Sequence, residues 1–319
     1  MVRPRASLVL CSTWLACAST PDANPAYAPT ENVLEVVAVL RRHVPDDTYR
    51  FEPARDFTGR NVYRSSLLRL ENLESRQQDS LRAGHLDGVI AFAKGRALER
   101  LRAYNVASEA YAIAADRDPE LRVEALRSAD VCNALQAATG SGPETAALAA
   151  DAVAQGRLQP EIAAAVGRFD ERVAALETIG ASEKDSQYAF VVKEEVERTD
   201  VARADYFAAL RQLLPDGDVR AAAERQRVVM RHSDSKNSSR HLLALAELYS
   251  DLAEEYVDAN PPETLRFDPA RFQELIDTAA RVYEMVAARD GTPEKLEASR
   301  KLEAFLAFAL RVDRDRFTP

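Results

Sequence analysis

Apolar side chains recur along most of this 319-residue chain at the three-and-four spacing of an α-helix, and nowhere in a clean period of two. The pattern cuts into elements. Val33, Leu34, Val36, Val37 and Leu40 predict a helix over Glu31–His43, ended by Pro45. Val62, Leu67, Leu68, Leu70 and Leu73 predict one over Asn61–Gln78. Residues 184–214 have no internal breaker and predict a single helix of about 30 residues, roughly 45 Å long, with Val192, Val196, Tyr206, Leu210 and Leu213 on one face. LLALAELYSDLAEEY (242–256) and the stretch from Phe272 to Asp290 predict two more. The last stretch, Pro293–Val312, carries Leu296, Leu302, Phe305, Leu306, Phe308 and Leu310, apolar enough to close the end of a stack.

Proline sets the phase. Asp118-Pro119-Glu120, Gly142-Pro143-Glu144, Gln159-Pro160-Glu161, Asp268-Pro269-Ala270 and Thr292-Pro293-Glu294 each put Pro at a first helical position, most with an acid facing the positive end of the helix dipole. The result is an all-α chain of about ten helices, joined by short turns as an irregular stack of antiparallel hairpins. The polar stretch HSDSKNSSR (232–240) reads as a long loop or a boundary. It divides a helical domain at 31–235 from a C-terminal helical subdomain at 236–319 packed on the first. Ala, Leu, Arg and Glu dominate, all strong helix formers, while Gly is scarce.

One stretch has a nameable pattern. Residues 88–119 hold Gly95, Leu98, Ala107, Tyr111, Ala114 and Pro119 at the places where a helical hairpin wants small residues at its crossing, an aromatic beside them and a proline after it. The stretch resembles one tetratricopeptide (TPR) repeat, a unit of about 34 residues. It departs at Ala91 and Lys94, where a large apolar residue is expected. Ala279 and Tyr283 repeat the Ala107–Tyr111 spacing, with a longer loop before the next proline. The resemblance implies a TPR-like α-solenoid whose groove is lined by the first helix of each pair. Here that means Phe92, Arg96, Glu99 and Arg100. The alternative is that these charges solvate an outer face.

The N-terminus is different in kind. Arg3 and Arg5 precede a short apolar run, Ala6–Ala16, too short to span a membrane. Residues 1–17 read as a signal peptide, and 18–30, rich in Pro, Ala and Thr, as a flexible tether. Trp14-Leu15-Ala16-Cys17 resembles a bacterial lipobox, which implies lipidation of Cys17. Cleavage after Ala18 by ordinary signal peptidase is the alternative, leaving the protein soluble in the periplasm or secreted. Ala18, where an inner-membrane retention signal would have Asp, implies the outer membrane.

The chemistry-bearing residues form no catalytic motif. The net charge of −9 disfavours nucleic acid as a partner. His43, His85, His232 and His241 make no H-E-x-x-H or Cys/His ligand set, and His232 and His241 read as surface residues flanking the polar loop. No metal or cofactor is expected. Glu194-Glu195 and Glu254-Glu255 read as parts of solvated faces, and Cys132 as a buried small hydrophobe. The function expected is a membrane-anchored, non-catalytic scaffold in the bacterial cell envelope that binds an envelope protein or peptide. The alternatives are a carboxylate enzyme acting on cell-wall glycan, or a structural subunit of an envelope assembly.

Overall fold

The computed structural model describes residues 62–83, 86–140 and 158–316. The signal segment, Cys17, the tether, the helix expected over Glu31–His43, His85 and Pro143 lie outside the described residues. Among the described residues there are ten α-helices, a 3-10 turn and no strand. They are α1 (Val62–Ala83), α2 (Asp87–Arg100), α3 (Tyr104–Arg117), α4 (Arg122–Thr139), α5 (Leu158–Ser182), α6 (Tyr188–Ala209), α7 (Gly217–Arg231), α8 (Ser238–Ala259), α9 (Pro269–Ala287) and α10 (Glu294–Arg316). Helices next to each other in sequence pack together, and α4 also reaches α6.

Several boundaries fall where local chemistry puts them. Asp268 caps α9, its carboxylate accepting from the amides of Ala270 at 2.9 Å and Arg271 at 3.3 Å, with Pro269 in the first turn. The helix expected to end at Gln78 leaves helical geometry at Gln77 (φ −132°, ψ 28°) and then resumes to Ala83. The single helix expected over 184–214 is shorter. Ser186 accepts from the Tyr188 amide at 3.1 Å and starts α6 four residues late, and a 3-10 turn over Arg211–Leu213 ends it early. Leu213 is half exposed as a result.

The apolar interior comes in separate clusters. One joins α1 and α2 through Tyr63, Leu70, Ile90 and Ala97. A second joins α3–α6 around Tyr111, Cys132, Leu135 and Tyr188, and a third lies between α5 and α6 around Phe169 and Tyr206. Two more hold α8, α9 and α10, with Ala279 and Tyr283 both buried at the places expected of them. Cys132 is free and buried, as its period predicts, and burial pushes its thiol well up.

The 88–119 hairpin is built on its glycine. A Cβ on Gly95 would lie 2.7–2.9 Å from three atoms of the Tyr111 ring. Tyr111 has no exposed surface, and its hydroxyl donates to Glu99 at 2.8 Å, so the ring has nowhere to go. Gly→Ala inside a helix normally gains about 1 kcal/mol. Gly95→Ala is expected instead to lose roughly 1–3 kcal/mol by overpacking, read as a lowered urea midpoint. A midpoint equal to or above that of the wild type would show that the crossing is loose.

Candidate functional site: the carboxylates of α6

Helix α6 carries four acids in two turns, Glu194, Glu195, Glu197 and Asp200. Three of them are buried, Glu195 and Asp200 almost completely, at 2% and 1% exposed. This corrects the solvated-face reading of Glu194-Glu195, although Glu254 on α8 is exposed as expected. Bare carboxylates cannot be buried this way without donors, because desolvation costs several kcal/mol per ion. The donors come from both flanks.

On one flank stands the α2–α3 hairpin. Arg102 clamps Glu195 with two bonds of 2.6 and 2.8 Å, Tyr104 donates to it at 2.8 Å, and Arg198 adds a third cationic contact at 3.0 Å. Arg102 has φ +63°, the only non-glycine positive φ among the described residues. Its position, just past the end of α2, usually takes Gly because a side chain there strains the backbone. The guanidinium that closes on Glu195 is the reason for an arginine at this place. Glu194 bridges the two flanks, accepting from Arg100 at 3.5 Å and from Lys236 at 2.6 Å.

On the other flank stand α7 and the start of α8. Arg227 and Arg231 reach Asp200 at 2.9 and 3.0 Å, and His232 Nε2 lies 2.8 Å from it. Glu197 accepts from Ser235 at 2.6 Å and Asn237 at 3.2 Å, and His241 Nε2 lies 2.6 Å away. His232 and His241 are therefore interior residues, 5% and 9% exposed, and not the surface histidines expected. The polar stretch 232–240 is pinned onto α6 at both ends. Burial works to raise the Asp200 and Glu197 carboxyls. The hydrogen bond from His232 and the charges of Arg227 and Arg231 outweigh it at Asp200, and those from His241 and Ser235 outweigh it at Glu197, so both sit below their ordinary range.

The four residues expected to line a groove are engaged inside the protein. Glu99 has 1% of its surface exposed and Arg96 is stacked over Phe92 and Tyr188 at 5.1 and 5.8 Å. Arg100 lies over Tyr63 at 5.6 Å and points to Glu194, and Phe92 packs edge-on to Tyr111. The first helix of the hairpin thus meets α6 through Arg100, which pairs with Glu194, and through Arg96, which lies over Tyr188 and takes its acids from Glu99 on the same helix and Glu124 on α4. Burial, offset only in part by Arg96 and Tyr111, raises the Glu99 carboxyl. A raised acid is what carboxylate catalysis requires, but this one is out of reach of a substrate.

Sequence reasoning missed Asp200, Glu197, His232 and His241 as interior residues. A signal existed: Val191, Val192 and Val196 interleave with Glu195 and Glu197, which leaves α6 without a wholly polar face. The open spaces nearby are modest. A recess of about 410 Å³ between α5, α6 and α7 has Ile162, Val166 and Phe207 in its lining and Arg203, Arg220 and Glu224 among its polar groups. A smaller one, about 120 Å³, is lined in part by Asp200, Arg227 and Arg231.

Arg102→Gly separates backbone strain from ion pairing. Gly relieves the positive φ, worth about 1 kcal/mol, but removes the bidentate partner of a buried carboxylate, which costs more. A net loss of roughly 2 kcal/mol in urea unfolding is expected; a gain would mean that Glu195 does not depend on the clamp.

The pH dependence follows from the lowered acids. Groups with depressed folded pKa values contribute stability that is fully present above the ordinary values of 3.8 for Asp200 and 4.5 for Glu197, and is lost as pH falls through the folded values. Stability measured from pH 7 to pH 3 should fall on the acid side. Asp200→Asn should be less stable at pH 7 and show a shallower acid limb, whereas an acid limb identical to that of the wild type would exclude Asp200 as its source. Compared with known proteins, the chain matches no family model, no curated protein and no solved structure.

Proposed function

We propose that this chain is a non-catalytic binding scaffold of the bacterial cell envelope, held at the outer membrane by a lipid on Cys17 and presenting TPR-like hairpins to an envelope protein or peptide. The observation that carries the binding reading is on the outside of the 88–119 hairpin and the helix after it. Val106 and Ile113 on α3 are 42% and 44% exposed, and Val123 and Leu126 on α4 are 82% and 49% exposed. Four large aliphatic side chains held in water on two packed helices favour an apolar partner surface. The docking face is then the outer side of α3 and α4, since Phe92, Arg96, Glu99 and Arg100 are occupied within the protein. The anchor reading rests on Cys17 and the Pro-rich segment that follows it.

A photo-crosslinking residue at Val123, introduced into the full chain in its native envelope, should give a discrete adduct. Val106→Glu with Leu126→Glu should abolish that adduct while leaving the circular dichroism unchanged. Labelled palmitate should be incorporated, and Cys17→Ser should prevent it. An adduct that survives both substitutions would refute the docking face, and absence of label on the wild type would refute the anchor.

A further inference from the structure

The last helix has two faces with the same repeat. Ala298, Phe305 and Val312, seven residues apart, are buried against α8 and α9. On the opposite side, Leu296, Glu303 and Leu310 form a second row of sevens, with Arg300 and Ala307 beside it. All five are exposed, Leu296 by 79% and Leu310 by 71%, and Leu306 at the edge by 42%. The sequence pattern assigned these three leucines to closing the stack; the structure has them in water, because Phe305 and its neighbours on the other side already do that. Several other charges on this helix are paired, Lys301 with Glu247 and Glu297, and Arg316 with Asp313. Arg300 and Glu303 make no ion pair or hydrogen bond with any described residue.

We propose that this face of α10 is a self-association surface whose partner is a second copy of the chain, packed antiparallel about a two-fold axis. The arrangement of charges and sizes selects that occupant. In an antiparallel pair, setting Arg300 opposite Glu303 of the second copy also sets Leu296 opposite Ala307 of the second copy. The two-fold repeats both contacts, as an isologous interface must. Two opposite-charge pairs and two large-on-small contacts result. A parallel pair in register would set Arg300 on Arg300 and Glu303 on Glu303, which is repulsive. A single helix face makes a small interface, so the dimer is expected to be weak and to depend on protein concentration.

Sedimentation velocity of the purified full chain in non-ionic detergent, from about 1 to 200 µM, reads this directly. The wild type should shift from monomer to dimer. Arg300→Glu alone and Glu303→Arg alone each oppose like charges across the two-fold and should weaken the dimer by about tenfold or more. Two further samples fix the geometry. The double variant Arg300→Glu with Glu303→Arg should dimerise as the wild type does. An equimolar mixture of the two single variants should form a heterodimer, because one copy is then all acidic and the other all basic at these places. Both positions are solvent-exposed, and an unchanged melting temperature confirms that each variant is folded. A wild type that stays monomeric throughout the range overturns the proposal, as does a dimer indifferent to the single reversals. Loss of association that neither the double variant nor the mixture restores also overturns it.

Discussion

Everything in the middle of this protein depends on burying carboxylates and then supplying a donor for each. Glu195 and Asp200 point to different sides of α6, and each is closed by an arginine from outside it, Arg102 in the α2–α3 turn and Arg227 on α7. A buried charge without its partner destabilises by several kcal/mol, whereas the completed pair contributes far less. The acids of α6 therefore act as a requirement: the α2–α3 hairpin and the α7–α8 turn must both be in place, or α6 cannot stay inside.

That requirement explains how the apolar clusters are arranged. The clusters of α3–α6 and those of α8–α10 are separate. What links them across α6 and α7 is mostly ionic: Arg203 to Glu224, Arg225 to Asp205, and Asp200 to its two arginines and His232. Hydrophobic burial supplies stability within each cluster. The ion pairs orient one cluster on the other, with Glu224 and Asp200 each shared between two arginines. The backbone of Arg102 bears local strain for the same reason, since a glycine there would have no guanidinium to offer.

Much of the helical architecture was legible in the sequence, because an amphipathic helix announces itself by period. The Gly95–Tyr111 crossing and the Asp268 cap were legible too, since small residues, aromatics and prolines have position-specific meanings. The ends of α6 were less so: Ser186 and the 3-10 turn at Arg211 act through hydrogen bonds that periodicity does not record. The candidate site was not legible. Pattern reading equates polar with outside, so Glu195, His232 and His241 read as solvent-facing, and Asp200 carries no signal at all. Their partners lie more than 25 residues away in sequence, apart from Arg198, and no local spacing joins them. The same equation failed in reverse at Leu296 and Leu310, which are apolar and exposed.

The most direct test of α6 as the ionic join is peptide-resolved hydrogen exchange of the Glu197→Gln, Asp200→Asn double variant at neutral pH. Faster exchange is expected in α7, the 232–240 turn and α6, with the interiors of α3–α4 and α9–α10 protected as in the wild type. Exchange that rises evenly over all helices, or does not change in α7 and the turn, would contradict it.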